Sequence, residues 1–223
     1  MMNRKIISPF HGKPTTEEFT DKNGNTAFRI TPLAITPQRV KFAEFLAAIS
    51  ALGLSWGGFQ ILSNTPHPED WLWPALLLGP WLSYPILNWL WRYILQTETR
   101  IEMTTDEFKF RSWSGWKTYD RKLPHKLSLI PHDKAQEEKD EHDLAMRSGQ
   151  PTIRKRYYGD SYHLSFDYLG QRNDVLTVFG YKDALTILAR LKACDERLDQ
   201  LASMGDGIAL NPEEQWTKEP GEI

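Results

Sequence analysis

Chemistry-bearing residues are scarce in this chain. It has one cysteine, Cys194, in 223 residues, which excludes an intramolecular disulfide framework and a zinc site of the four-cysteine kind. Basic charge is not in surplus either. The 27 Lys and Arg are outnumbered by 29 Asp and Glu, for a formal charge of -2, so broad electrostatic capture of nucleic acid is not indicated. The aromatic residues are not interleaved with a basic stripe, which argues against a stacking platform for single strands. There is no phosphate loop, no GxGxxG, no GxSxG, no HExxH and no CxxC. His125, His132, His142 and His163 share the later part of the chain with Asp133, Asp140 and Asp143, but no ligand spacing organises them. The reading is therefore of a non-enzyme with no catalytic residue, no metal and no cofactor.

Charge is also missing locally, and there the absence is informative. Mean hydropathy is -0.51, as in a soluble protein, yet six of the nine tryptophans fall between Trp56 and Trp91. From Phe42 to Leu62 there are nine Leu, Ile or Phe residues and one ionisable group, Glu44, near the start. As a helix this stretch spans about 31 Å, the thickness of a hydrocarbon core. From Trp71 to Leu95 there are ten Leu or Ile residues and one charge, Arg92, near the end. Neither stretch carries the polar stripe of a soluble helix. The expectation is a transmembrane helical hairpin over 41–96, with spans 42–62 and 71–95 and no intramembrane charge pair.

The connector Asn64 to Asp70 lacks Lys and Arg, whereas Arg29, Arg39 and Lys41 precede the first span and Arg92, Arg100, Lys109 and Arg111 end or follow the second. The positive-inside rule then puts both termini in the cytoplasm, in a multi-pass protein of the bacterial inner membrane. No signal peptide accounts for the first span, because some forty largely polar residues come before it. Gly53 and Gly57 form a GxxxG spacing with Gly58 beside it, a face for close helix packing, first of all against the second span. Pro74, Pro80 and Pro85 are expected to bend that span. Trp71, Trp73, Trp89 and Trp91 are expected at the interfaces, and Trp56 and Trp81 between the helices.

After residue 96 the period changes to two. Thr99, Ile101 and Met103 alternate with Arg100 and Glu102, and Phe108 and Phe110 with Lys109 and Arg111. RSWSGWKTY reads as a hairpin, Lys126 to Ile130 as a strand, Tyr162 to Tyr168 as another, and a turn over Gly170 to Asp174 leads into VLTVF. By the same alternation Asp167 lies opposite the apolar core and faces solvent. From Asp183 to Ala202 the apolar residues Ala184, Ile187, Leu188, Leu191, Cys194, Leu198 and Leu201 define one helix face.

Two membrane helices followed by strands, a last strand ending VLTVFGYKDA and one long terminal helix resemble the bacterial membrane-anchored pleckstrin-homology-like proteins. The stretches TRIEMTTDEFKFRSWSGWKTYDRKLP and YHLSFDYLG carry the resemblance. It implies an α+β fold, a small antiparallel β-barrel or bent sheet pair over 97–204 capped by the last helix, and a scaffold role at the membrane surface. It implies no catalytic residue. The chain departs from that pattern in an acidic insertion, 131–152, with EEKDEHD from Glu137 to Asp143, read as a solvated loop or short surface helix. The basic run Arg154, Lys155 and Arg156 follows as a charged contact surface. Residues 1–40 read as an N-terminal cytoplasmic segment with one strand near Thr26 to Leu33, and 205–223 as a flexible tail. The expected partners are membrane lipid and other membrane proteins or further copies of the chain. The alternatives are a peripheral lipid or signal sensor and, third, a membrane-bound enzyme acting on lipid or glycan.

Overall fold

The structure, a computed structural model, describes residues 4–5, 13–22, 24–66, 69–112, 115–149 and 156–205. Three short runs lead in: β1 (Arg4–Lys5), β2 (Thr15–Thr20) and β3 (Thr26–Thr31), then β4 (Leu33–Ala34). The helical section is α1 (Pro37–Asn64), α2 (Leu72–Leu82) and α3 (Tyr84–Ile94). Then come β5 (Thr97–Glu98), β6 (Ile101–Met103), β7 (Glu107–Ser112), β8 (Gly115–Asp120), β9 (His125–Pro131), α4 (Ala135–Arg147), β10 (Ser161–Tyr168), β11 (Gln171–Phe179) and α5 (Tyr181–Gly205).

The fold is mixed α and β with antiparallel sheets, and the sheets do not close into a barrel. Among the described residues a six-stranded sheet runs β1-β2-β3-β6-β7-β8, a three-stranded sheet runs β11-β10-β9, and β4 pairs with β5. The expected alternation holds in β6 and β7, where Ile101, Met103, Phe108 and Phe110 point inward. Phe108 stacks on Phe166 of β10 at 4.2 Å between ring centroids, joining the sheets face to face. Such a pair contributes about 0.5–1.5 kcal/mol beyond its area. The apolar stripe of α5 closes this core with Ala184, Ile187, Leu188, Leu191, Cys194 and Leu198, while Arg190 reaches across to the Thr16 hydroxyl at 3.2 Å.

Several expectations are refined or corrected. The strand expected near Thr26 to Leu33 is β3, and what its sequence does not show is its partner: β3 pairs with β6 in the register Phe28↔Met103 and Ile30↔Ile101, so the sheet is assembled from both sides of the helical section. Single-strand periodicity carries no information about such long-range pairing. Strand β11 starts at Gln171, four residues before VLTVF, because Leu169 and Gly170, both at positive φ, make a two-residue turn that lets the polar run QRND pair with β10. A bulge between Leu164 and Ser165 absorbs the extra residue. Of the two forms expected for the acidic insertion, it takes the short surface helix: α4 has Glu137 and Glu138 in its first turn and Arg147 in its last, each favourable to the helix dipole.

Within the helical section α1 is, among the described residues, the one helix long and apolar enough to cross a membrane. The stretch 71–95 is not one helix but two of 11 residues each, meeting at Ser83. Pro80 lies inside α2 and Pro85 in the first turn of α3, and each lacks the N–H that a continuous ladder needs. At the bend the Ser83 hydroxyl donates to the Pro80 carbonyl at 2.8 Å.

α1 packs on α2 and α3 through a seam of small residues: Val40, Ala43, Ala47, Ala51 and Gly58 are all buried. Leu62 is buried with them, and most of the other large side chains of α1 face the other way. Trp56 is 64 % exposed and Ile61 62 %; on the partner helices Leu82 is 82 % and Ile86 67 %. Trp56 and Trp81 therefore point outward, contrary to the expectation that they sit between helices, because the seam is too close for indoles. Of the three glycines, Gly58 alone is required by contact: a Cβ there would lie 2.8 Å from the Leu76 carbonyl oxygen, whereas at Gly53 and Gly57 it would meet nothing within 4 Å among the described residues.

The three glycines should therefore respond with opposite signs. Gly58→Leu is expected to destabilise the hairpin by about 1–3 kcal/mol through overpacking. Gly53→Ala and Gly57→Ala should each stabilise α1 by roughly 0.5–1 kcal/mol by removing a helix-interior glycine. Thermal unfolding of the detergent-solubilised chain distinguishes the two responses.

Candidate functional site

The helical section and the sheets meet at a junction built on Glu44, in the second turn of α1. One carboxylate oxygen takes a salt bridge from Arg92 of α3 at 2.9 Å, and the other accepts from the Tyr157 hydroxyl at 2.5 Å. The two charges that stand alone in their apolar stretches thus pair with each other at the end of the helical section nearest the sheets. Each offsets the other's desolvation in a setting where an unpaired charge is costly. Arg92 also donates to Asn88 Oδ1 at 3.2 Å and lies over the Phe179 ring at 5.5 Å, while Arg39 donates to the Leu95 carbonyl at 3.1 Å. Burial first, and then the hydrogen bond to Glu44, push the Tyr157 hydroxyl up to about 12, so it stays a proton donor at neutral pH.

Tyr157 opens a loop that α4 holds in place. The main-chain N–H of Tyr157 donates to Glu138 Oε1 at 2.9 Å, and those of Tyr158 and Gly159 both donate to Oε2 at 2.7 Å. Lys41 of α1 lies over both tyrosine rings, 4.9 Å from Tyr157 and 4.4 Å from Tyr158. Beside this loop a pocket of about 410 Å³ is lined by His132, Asp133, Glu138, Lys139, Arg156 and Gly159, among others. Of the basic run, Arg156 lines this pocket, and Arg154 and Lys155 lie outside the described residues.

The histidines divide. His132 and His163 stack at 4.5 Å, with Asp133 at 3.7 Å from His163 Nε2 and bridged to Arg172 at 3.3 Å. Thr177 Oγ1 lies 2.9 Å from His163 Nδ1. His125 instead faces Asp195 of α5 at 3.3 Å, alongside Arg121, whose buried guanidinium holds Asp195 at 2.6 Å and Asp199 at 2.5 Å. His142 stays on α4 beside Asp143. No three His, Cys, Asp or Glu residues among the described ones are placed to share a metal ion. Asp167 is only partly exposed and accepts from Ser128 at 3.1 Å across the strand pair. Cys194 is buried in α5, and that burial pushes its thiol up to about 12, away from nucleophile chemistry.

Sequence reasoning singles out Glu44, Arg92 and Arg156 by their surroundings, but it misses Glu138 and Tyr157. Glu138 is one of several acids in a run, and only the fold shows which one turns inward. An isolated open groove of about 500 Å³ between α1 and α2 exposes Gly53 and Gly57 beside Leu54, Ile61 and Leu76. Compared with protein families, curated proteins and solved structures, the chain matches none.

Two outcomes are expected of the junction and the histidine pair. Tyr157→Phe is expected to cost about 1.5–3 kcal/mol, the usual contribution of a hydrogen bond to a charged acceptor. Glu44→Ala should cost more, since it leaves both Arg92 and Tyr157 without their acceptor; unfolding in detergent gives the order. His132 has its pKa lowered from the ordinary 6.5 by burial and by His163. The unfolded chain binds that proton more tightly, so stability is full above the ordinary value and falls as pH drops through and below it. His132→Gln should lose less melting temperature than the parent between neutral and mildly acidic buffer.

Proposed function

We propose that the chain is a membrane-anchored, non-enzymatic accessory or scaffold subunit. α1 and the kinked α2–α3 pair form a two-span hairpin in the bacterial inner membrane. The two sheets and α5 form a pleckstrin-homology-like module on its cytoplasmic face, where it contacts a larger membrane assembly, such as a secretion or conjugation apparatus, or further copies of itself. The observation that carries this reading is the inverted packing of the hairpin, with small residues inside and large apolar ones outside. A soluble monomer rarely exposes a contiguous apolar patch beyond about 300–600 Å², whereas lipid is the natural solvent for Phe45, Leu52, Trp56, Ile61, Leu82, Ile86 and Trp89, all more than half exposed.

Further support comes from the ends of the hairpin. Leu33↔Glu98 and Ala34↔Thr97 pair antiparallel, so the chain enters and leaves the helices side by side. Lys41, Arg39 and Arg92 gather at that end, on the side of the sheets, which favours a cytoplasmic position for the module. Two antiparallel sheets with α5 packed against their core support the reading of a pleckstrin-homology-like module. The bare groove at Gly53 and Gly57 offers another membrane helix a close approach.

Single cysteines at Pro66 and Asp160 test the topology against a wild-type background kept quiet by the inert Cys194. A membrane-impermeant maleimide should label Pro66→Cys from outside and Asp160→Cys only after permeabilisation. Labelling of both from one side, or release of the chain by alkaline carbonate, overturns the anchor. Cross-linking in native membranes should trap the chain with a partner or a second copy. Recovery as monomer alone overturns the scaffold role.

A further inference from the structure

Three consecutive main-chain N–H groups, those of Tyr157, Tyr158 and Gly159, converge on the single carboxylate of Glu138 at 2.7–2.9 Å. Successive amides aimed at one point form an anion-binding concavity, and a phosphate carries the charge and the oxygens such a concavity accepts. Its surroundings are those of an anion site. The adjoining pocket is lined by Arg156 and Lys139 with Asp133 and His132, and Lys41 and Lys134 flank the same loop over the Tyr158 ring, at 4.4 and 5.8 Å. Two of the nearby carboxylates have partners of their own: Glu44 engages Arg92 and Tyr157, and Asp133 engages Arg172. Glu138 is thus an internal anion occupying a cationic hollow.

The element that delivers Glu138 is weakly held. Every residue of α4 is at least partly exposed, and at 13 residues it is near the length at which an isolated helix is marginal. The hollow also lies close to the start of the apolar stretch, since Tyr157 bonds Glu44 and Lys41 rests on its ring. On the membrane reading above, on which this inference rests, that is the depth of the lipid head groups. We propose that the Tyr157–Gly159 amides with Arg156 and Lys139 bind the phosphate of an anionic phospholipid, and that Glu138 is a built-in competitor which the lipid displaces, freeing α4 from the loop.

The test places the full chain in nanodiscs of phosphatidylcholine alone and of phosphatidylcholine with phosphatidylglycerol, and follows amide hydrogen exchange. Phosphatidylglycerol should speed exchange along 135–147 several-fold while the amides of 157–159 stay protected. Glu138→Gln, which weakens the internal competitor, should show fast exchange in α4 already in neutral discs. Arg156→Ala, which leaves Glu138 in place, should lose most of the response to phosphatidylglycerol. Equal α4 exchange in the two discs, with the protein inserted in both, overturns the lipid site and leaves the anchor standing. The same acceleration on adding inorganic phosphate to neutral discs overturns the lipid assignment in favour of a soluble anion. Failure to enter discs of either composition sinks the anchor and this site together.

Discussion

Two pairs of residues hold the architecture together. Leu33 opposite Glu98 and Ala34 opposite Thr97 make the short ladder through which the chain runs into α1 and out of α3. The Thr97 hydroxyl donates to the Ala34 carbonyl at 3.1 Å, and the Phe179 amide donates to the Ile35 carbonyl at 2.9 Å, so the ladder is also stitched to the end of β11. With its ends fixed side by side, the hairpin needs only a close seam to pack. The small residues of α1 supply it, and association of helices in lipid depends on such contact because burial of apolar surface contributes little there.

Glu44 extends this constraint to the rest of the molecule. A single carboxylate engages α1, α3 and the loop at Tyr157, so the position of the helices, the sheets and α4 is set around one charge. Charged hydrogen bonds are directional as well as strong, and a shared acceptor transmits displacement of one partner to the others. The loop that receives Glu138 is the same loop that reaches Glu44, which ties the surface helix directly to the junction with α1 and α3.

How much of this can be read from the amino acids varies with the range of the interaction. Alternation at Ile101, Met103, Phe108 and Phe110 and the apolar stripe from Ala184 to Leu198 give the core strands and the last helix directly, because each is decided by neighbours within a few positions. Partnerships across the chain leave no such trace. Nothing local in Thr26–Thr31 indicates that it joins β6, and nothing in QRND distinguishes a paired edge strand from a turn. The GxxxG spacing marks a close-packing face, but contact selects Gly58, one residue off the motif, since the seam follows the alanines at 43, 47 and 51. The site at Glu138 is hidden for a similar reason: a helix with seven charged or imidazole side chains in a row presents every one of them as solvated until its packed face is known.

The order of the strands has a consequence for biogenesis. Arg29 of β3 and its partner Glu102 of β6 stand 73 positions apart, with the whole helical section between them. During synthesis the hairpin β2–β3 leaves the ribosome with one strand edge unpaired, and it stays so until α1, α2, α3 and the start of β6 have followed. Completion of the sheet thereby waits on the helical section, and a chain that stalls within that section is left with an open strand edge.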